Sequence, residues 1–105
     1  MIIVLRLTEE SVTLEDPGSF GLFSVRVEGG RESGRVQEVA QSSGLGRLRD
    51  DGQHVVVAPD AVRRLAGAAV NEEWEEGFAG MCRYAAGQGW IEDGGILAHI
   101  EWPEA

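Results

Sequence analysis

The strongest helical pattern in the chain lies in residues 71–85, NEEWEEGFAGMCRYA. Its apolar residues recur three or four positions apart, at Trp74, Phe78, Met81, Cys82 and Ala85. Residues with that spacing share one face of an α-helix, so the pattern predicts a helix that packs this face against the core. Asn71 is a favourable N-cap for this helix, and the glycines at 87 and 89 are typical of a helix C-terminus.

A shorter helix is predicted to begin at Pro59. Proline is favoured at the first helical position because the N–H group that it lacks has no partner there in any case. Apolar residues follow at helical spacing, at Val62, Leu65, Ala66 and Ala69. The two patterns together predict two helices within residues 59–88.

The part of the chain before Pro59 is predicted to form strands, at residues 2–7, 11–14, 20–27, 35–40 and 54–58. The third of these alternates apolar and polar side chains, with Phe23, Val25 and Val27 on one face. Alternation with one polar face is typical of an antiparallel sheet. We therefore expect antiparallel strands within residues 2–58.

The chain ends in a predicted hairpin over residues 90–102, which turns at Asp93-Gly94-Gly95. Its second strand places His99 and Glu101 on the face opposite Ile96 and Ala98. Strands followed by segregated helices are typical of an α+β fold. The sequence predicts one domain, 1–105, with an antiparallel sheet built from the N-terminal strands and the C-terminal hairpin, and with two helices packed on one face.

The charge of the chain excludes several classes of function. Eighteen acidic residues oppose nine basic ones, giving a net charge of −9, and residues 71–105 contain only one arginine, Arg83. Such a surface repels phosphate backbones and anionic lipids, so neither a nucleic-acid partner nor a membrane is expected. The single cysteine, Cys82, excludes an internal disulfide and favours a cytoplasmic protein.

Four glutamates around Trp74 form the most conspicuous local feature: Glu72, Glu73, Glu75 and Glu76. They are candidates for binding a basic protein partner, with the indole as an anchor. The structural interpretation is that Trp74 points inward and that the glutamates stabilise the positive end of the helix dipole. The position of Trp74 on the apolar stripe favours the structural interpretation.

Candidate catalytic residues are His99, Glu101 and Cys82. His99 and Glu101 share a strand face, where a carboxylate could orient an imidazole base. Cys82 could be a nucleophile, although its place on the apolar stripe favours a core position. Arg26, Arg83 and Trp90 are candidates for binding a ligand in a pocket between helices and sheet.

No metal site or cofactor is predicted. His54 and His99 could share a metal ion if their strands were neighbours, but 44 residues separate them and no ligand spacing is present. Nucleophile-elbow, dinucleotide and P-loop motifs are also lacking. The sequence therefore favours a small acidic accessory or protein-interaction domain, with a homodimer through a sheet edge as one form of it. The alternative is a small-molecule-binding protein or minor enzyme that uses His99 and Glu101.

Overall fold

Seven strands and three α-helices make up the fold, which a computed structural model describes for residues 1–104. Ala105, the last residue of the expected domain, lies outside the described residues. A 3-10 turn over Gly67–Ala69 separates the second and third helices. In chain order the elements are β1 (Ile2–Arg6), β2 (Ser11–Glu15), β3 (Ser24–Glu28), α1 (Ser33–Ser42), β4 (Gly46–Leu48), β5 (His54–Val57), α2 (Pro59–Ala66), α3 (Glu72–Gly87), β6 (Ile91–Glu92) and β7 (Gly95–Glu101).

All seven strands belong to one mixed sheet, curled into a half-barrel. The order is β2-β1-β3-β7-β5-β4, and β6 pairs with β7 beside this path. β3 lies between β1 and β7 and runs parallel to both, whereas the other pairs are antiparallel. β3 thus joins the N-terminal strands to the last strand of the chain.

The parallel pairs show that the predicted antiparallel sheet is wrong. The alternation in residues 23–28 reports one polar face, and that part of the pattern is present, since Val25 and Val27 are buried in the core. The polar face exists because the buried helix residues all pack with the opposite face, not because the neighbouring strands are antiparallel. The alternation in β3 therefore reports its exposed face and not the direction of its neighbours.

The strand predicted at residues 35–40 is also wrong, because these residues lie in α1, which raises the number of helices from two to three. Val36, Val39 and Ala40 are buried. They are spaced by three and by four positions, which is a helical period rather than that of a strand. The first turn closes through hydrogen bonds from the N–H groups of Arg35 and Val36 to the Glu32 carbonyl, at 3.0 and 3.1 Å.

The helices predicted at the two other places are confirmed. α2 begins at Pro59, and α3 begins after Asn71, whose side-chain Oδ1 accepts a 2.8 Å hydrogen bond from the Trp74 N–H. Within residues 1–104, no helix combines the length and the apolar character needed to cross a bilayer.

The core lies between the three helices and one face of the sheet. α3 contributes its apolar stripe, and Phe78 is only 1% exposed. Burying a phenyl ring removes a large apolar area from water, which is the dominant favourable term in folding. The buried members of the α3 stripe are Trp74, Phe78, Met81 and Ala85.

We predict that Phe78→Ala lowers the free energy of unfolding by about 3–5 kcal/mol, because it leaves a cavity under α3. The matched control is Arg83→Ala on the same helix. Arg83 is exposed, so its loss should change stability by less than about 0.5 kcal/mol. Urea denaturation followed by circular dichroism measures both, and similar losses in the two variants would contradict this packing.

Candidate functional site

A gap in strand pairing opens along one edge of β7. β5 occupies the other edge, pairing with residues 96–99. On the near edge β3 pairs with residues 99–101, while β6 pairs only with residues 95–96. Between them, the Leu97 N–H donates a 2.8 Å hydrogen bond to the Trp90 carbonyl, just before β6 begins. β3 and β6 therefore diverge at this point, and the residues that precede each strand flank the gap.

The flanking side chains form a cleft that we call the aromatic groove. On the helix side it encloses about 80 Å3. It continues past Trp90 and Phe23 to a second cavity of about 200 Å3 that also touches His54 and His99. The residues that define the aromatic groove are Phe20, Leu22, Phe23, Tyr84, Trp90 and Leu97.

The large apolar side chains that are exposed in residues 1–104 gather at this groove. Leu22, Tyr84 and Trp90 line it and are 57%, 63% and 45% exposed, and Ile91, which follows Trp90, is 39% exposed. Tyr84 meets Trp90 edge to face, with ring centroids 5.9 Å apart. This arrangement is favourable for aromatic rings and fixes the end of α3 against β6.

Phe20 forms the groove wall that faces α3. Its ring packs edge to face on Trp74, with centroids 5.9 Å apart, and it covers Gly77 so closely that a Cβ atom there would overlap it. The Trp74 indole N–H donates a 2.8 Å hydrogen bond to the Pro17 carbonyl. The loop before β3 is thus tied to α3 by both rings.

The same loop is held at its other end by the amino group of Met1. This group donates hydrogen bonds to the carbonyls of Ser19 and Leu22, at 2.8 and 2.9 Å. Burial lowers the pKa of the amino group, and the charge of Asp16 opposes that effect. Because both ends of the loop are fixed, the wall of the groove is formed before any partner binds.

The two histidines of the chain meet at the end of the groove. His54 and His99 are opposite each other on β5 and β7, with ring centroids 5.4 Å apart and ring planes at 73°. His54 Nδ1 lies 2.8 Å from Asp51 Oδ2. No ligand spacing in the sequence links these residues, and the antiparallel register makes them neighbours.

Asp51 belongs to a chain of ion pairs that crosses the polar face of the sheet. Arg49 contacts both Asp51 and Glu92, and Glu92 in turn contacts Arg47, at 3.0, 3.2 and 2.7 Å. A hydrogen bond from the Gln53 backbone N–H is the main reason that the pKa of Asp51 falls to about 2. Asp51 is therefore a permanent anion beside His54 at neutral pH.

Ser24 lies next to His99 on the other side, since the two residues are Cα partners of β3 and β7. Its hydroxyl is buried and has no hydrogen-bond partner, the only such side-chain atom in residues 1–104. A buried polar group without a partner is costly and calls for an explanation. The row Ser24, His99, His54 and Asp51 thus carries polar groups across three neighbouring strands and the turn before β5.

The structure places the predicted pair His99 and Glu101 on the face opposite the helices, exposed, so these residues do not line a helix–sheet pocket. Glu101 is the Cα partner of Arg26. Arg26 forms ion pairs with Glu15 and Glu28 at 2.9 and 3.3 Å, and the hydrogen bond to Glu15 is the main reason that its pKa is raised. The guanidinium of Arg26 is thus occupied by ion pairs within the chain and is not free to bind a ligand, whereas Trp90 lines the groove.

Of the helix candidates, Cys82 is half-buried against the core and most of the others are exposed. Burial raises the pKa of the Cys82 thiol, an effect that the charge of Arg63 opposes, which disfavours a nucleophilic thiolate. Arg83 is exposed beside Tyr84. Glu75 pairs with Arg63 at 3.1 Å. The remaining glutamates of this cluster are exposed, and in residues 1–104 they form no ion pair: Glu72, Glu73 and Glu76.

Sequence reasoning missed most of the groove. Phe20, Leu22 and Phe23 lie before β3, where no local pattern separates a groove wall from a strand. Tyr84 is the residue from which the groove could have been predicted, because an aromatic residue off the apolar stripe of a helix must face solvent or a partner. In the part of the chain that the structure describes, no group of three or more His, Cys, Asp or Glu side chains could hold a metal ion.

We predict that Asp51→Asn removes part of the pH dependence of stability. Because the pKa of Asp51 is lower in the folded chain than its ordinary 3.8, its ionised form stabilises the fold above about pH 4, and that contribution is lost as the pH falls toward 2. The stability difference between wild type and variant should shrink over this range in urea titrations. A difference that stays constant from pH 6 to 2.5 would contradict the assignment.

We predict that Cys82 reacts several-fold more slowly with a disulfide reagent such as DTNB in the folded chain at pH 8 than in the urea-unfolded chain. Burial and the raised pKa both lower the amount of accessible thiolate. The rate in urea, corrected with a small thiol under the same conditions, is the control. Equal rates in the folded and unfolded chains would show an exposed, ionised thiol.

Comparison with known proteins found no matching family model, no similar curated protein and no similar solved structure. We therefore infer the function from the geometry and the charge of the aromatic groove and of the residues around it.

Proposed function

We propose that this chain is a protein-interaction domain that binds a basic segment of another protein through the aromatic groove. The observation that carries the proposal is the gathering of exposed Leu22, Tyr84, Trp90 and Ile91 at one place. Exposed apolar patches of this kind are costly in water and mark interaction sites. Tyrosine and tryptophan are the residues that most often dominate the binding energy of such sites.

The dimensions of the groove favour side chains of a protein over a free metabolite. Its two cavities measure about 80 and 200 Å3, whereas sites for small organic ligands usually enclose about 300–1,000 Å3. A chain segment can place an apolar side chain in the first cavity and a second side chain beside the other, and leave its backbone outside. The preformed wall at Phe20 supports this mode, because a rigid groove loses little entropy when it binds.

A larger depression of about 370 Å3 lies at the other end of β7, beside Gly46, Pro59 and Gly95. Its charged side chains, Arg47 and Asp93, already pair with each other at 2.8 Å. It therefore offers a ligand little that is free to bind, which makes the aromatic groove the better candidate.

The distribution of charge favours a basic partner. Six of the nine arginines form ion pairs within residues 1–104. Few arginines are therefore left to neutralise the excess acidic side chains of the chain. Glu73 and Tyr84 are 11 positions apart on α3, which is close to three turns and places them on one helix face. Glu76 is one turn from Glu73 and is also exposed. A partner anchored at Tyr84 would therefore meet these carboxylates.

A second copy of this chain is a poorer occupant. Each copy carries a net charge of −9, so two copies repel each other unless their acidic surfaces are far apart. A cytoplasmic setting, which the free thiol of Cys82 supports, would supply basic partners of other kinds. A homodimer and a small-molecule site are the outcomes against which the proposal is tested.

We predict that selection from a library of 12-residue peptides enriches sequences with one or two apolar anchors and several Lys or Arg residues. Tyr84→Ala and Trp90→Ala should each weaken the binding of a selected peptide at least about tenfold, since each removes an exposed anchor. Glu73→Gln/Glu76→Gln should weaken binding by a smaller factor through lost attraction. The emission of Trp90 should shift to shorter wavelength as the peptide covers it.

The matched control is Thr13→Ala, an exposed substitution on the edge strand β2, which should leave binding unchanged. Amide chemical shifts of labelled protein locate the bound peptide. Shifts that avoid residues 20–23 and 84–97, or equal weakening by the control, would overturn the proposal. A dimeric mass in sedimentation equilibrium that Tyr84→Ala converts to a monomer would instead assign the groove to a second copy.

A further inference from the structure

The His54–His99 pair occupies the position of an antiparallel sheet at which side chains come closest. The preceding pair, Gln53 and Ile100, is hydrogen-bonded, with the Ile100 N–H donating to the Gln53 carbonyl at 2.8 Å. Hydrogen-bonded and non-hydrogen-bonded pairs alternate along such strands, so His54 and His99 form a non-hydrogen-bonded pair. The Arg49 N–H confirms this, because it donates to the His54 carbonyl, which therefore points toward β4 and not toward β7. Both imidazoles therefore project from neighbouring Cβ atoms on one face.

The separation of the rings suits two ligands of one ion. In a tetrahedral site with metal–nitrogen bonds of about 2.0–2.1 Å, two imidazole centroids lie roughly 5 Å apart. The centroids of His54 and His99 are 5.4 Å apart. The cavity of about 200 Å3 over the two rings leaves room for an ion and for further ligands.

Asp51 orients His54 in the way that metal sites require. Histidines that bind metals usually donate their other ring N–H to a carboxylate or carbonyl, which fixes the tautomer and the ring plane. Asp51 Oδ2 lies 2.8 Å from His54 Nδ1, and Asp51 is itself held by Arg49 and by the Gln53 N–H, at 3.0 and 2.8 Å. This contact places the proton on Nδ1 and leaves the lone pair of Nε2 free.

Ser24 adds a buried polar group next to His99. It is 5% exposed, its hydroxyl has no partner, and it is the Cα partner of His99 on the side away from His54. A hydroxyl at this place can accept a hydrogen bond from the His99 ring, as the carboxylate of Asp51 does from His54. The buried hydroxyl then has the partner that it otherwise lacks.

We propose that His54 and His99 together bind a divalent transition-metal ion such as Zn²⁺, with Asp51 orienting His54 and Ser24 orienting His99. Imidazole ligands favour zinc, copper and nickel over calcium and magnesium. Two protein ligands leave two positions of a tetrahedral ion for water or for a donor group of a bound partner. The site is therefore open, and the inference does not depend on the groove binding a peptide.

The test is a calorimetric titration of the full chain with ZnCl₂ at pH 7.5. We expect one ion per chain, and we expect His54→Gln and His99→Gln each to weaken zinc binding at least about tenfold. Asp51→Asn should weaken it roughly tenfold, since loss of the orienting partner costs about 10–100-fold in other metal sites. Glu32→Gln is the matched control, because it removes one exposed carboxylate at the start of α1, outside the cavity over the pair, and should leave zinc binding unchanged.

A second measurement keeps the inference testable if a histidine variant fails to fold. Substoichiometric Cu²⁺ added to the labelled wild-type chain should broaden amide signals around residues 51–54 and 97–100 first. No zinc binding at 1 mM, equal weakening by Glu32→Gln, or broadening centred on residues 72–76 would overturn the proposal, the last two by assigning the ion to surface carboxylates.

Discussion

The pairing of strands along the two edges of β7 determines which residues lie beside it. Three strands pair with its seven residues, and two of them share one edge without meeting. β3 and β6 cannot both pair with the same residues of that edge, so a gap remains between them. The aromatic groove lies at this gap. The other edge, paired with β5, brings His54 opposite His99. Both candidate sites thus depend on how the last strand of the chain is divided among its neighbours.

The sequence predicted those elements whose reasons are local. Asn71, the stripe through Trp74 and Phe78, and Pro59 each act within one or two turns, and the structure has helices at both places. The strand predicted at residues 35–40 rests on Val36 and Val39 alone, and it is wrong because Ala40 completes a helical spacing. The error shows that a short apolar pattern needs its full period to be counted.

Pairing between distant strands lay beyond such reasoning. Adjacent residues in the sequence do not indicate that β3 runs parallel to its neighbours or that His54 contacts His99. Both features depend on which strands lie side by side. The same holds for Phe20, whose role as a groove wall depends on Gly77 of α3. Candidate residues such as Trp90 and His99 could be named from the sequence, but their shared cavity could not.

Glu92 has a consequence for how rigid the groove can be. β6 has only two residues, yet Glu92 reaches from it across the sheet to Arg47 and Arg49 near the opposite edge. These half-exposed ion pairs are weakened when dissolved ions screen them. Raising the ionic strength should therefore loosen β6 and the indole of Trp90 beside it, so that salt acts on the shape of the groove as well as on the attraction between charges.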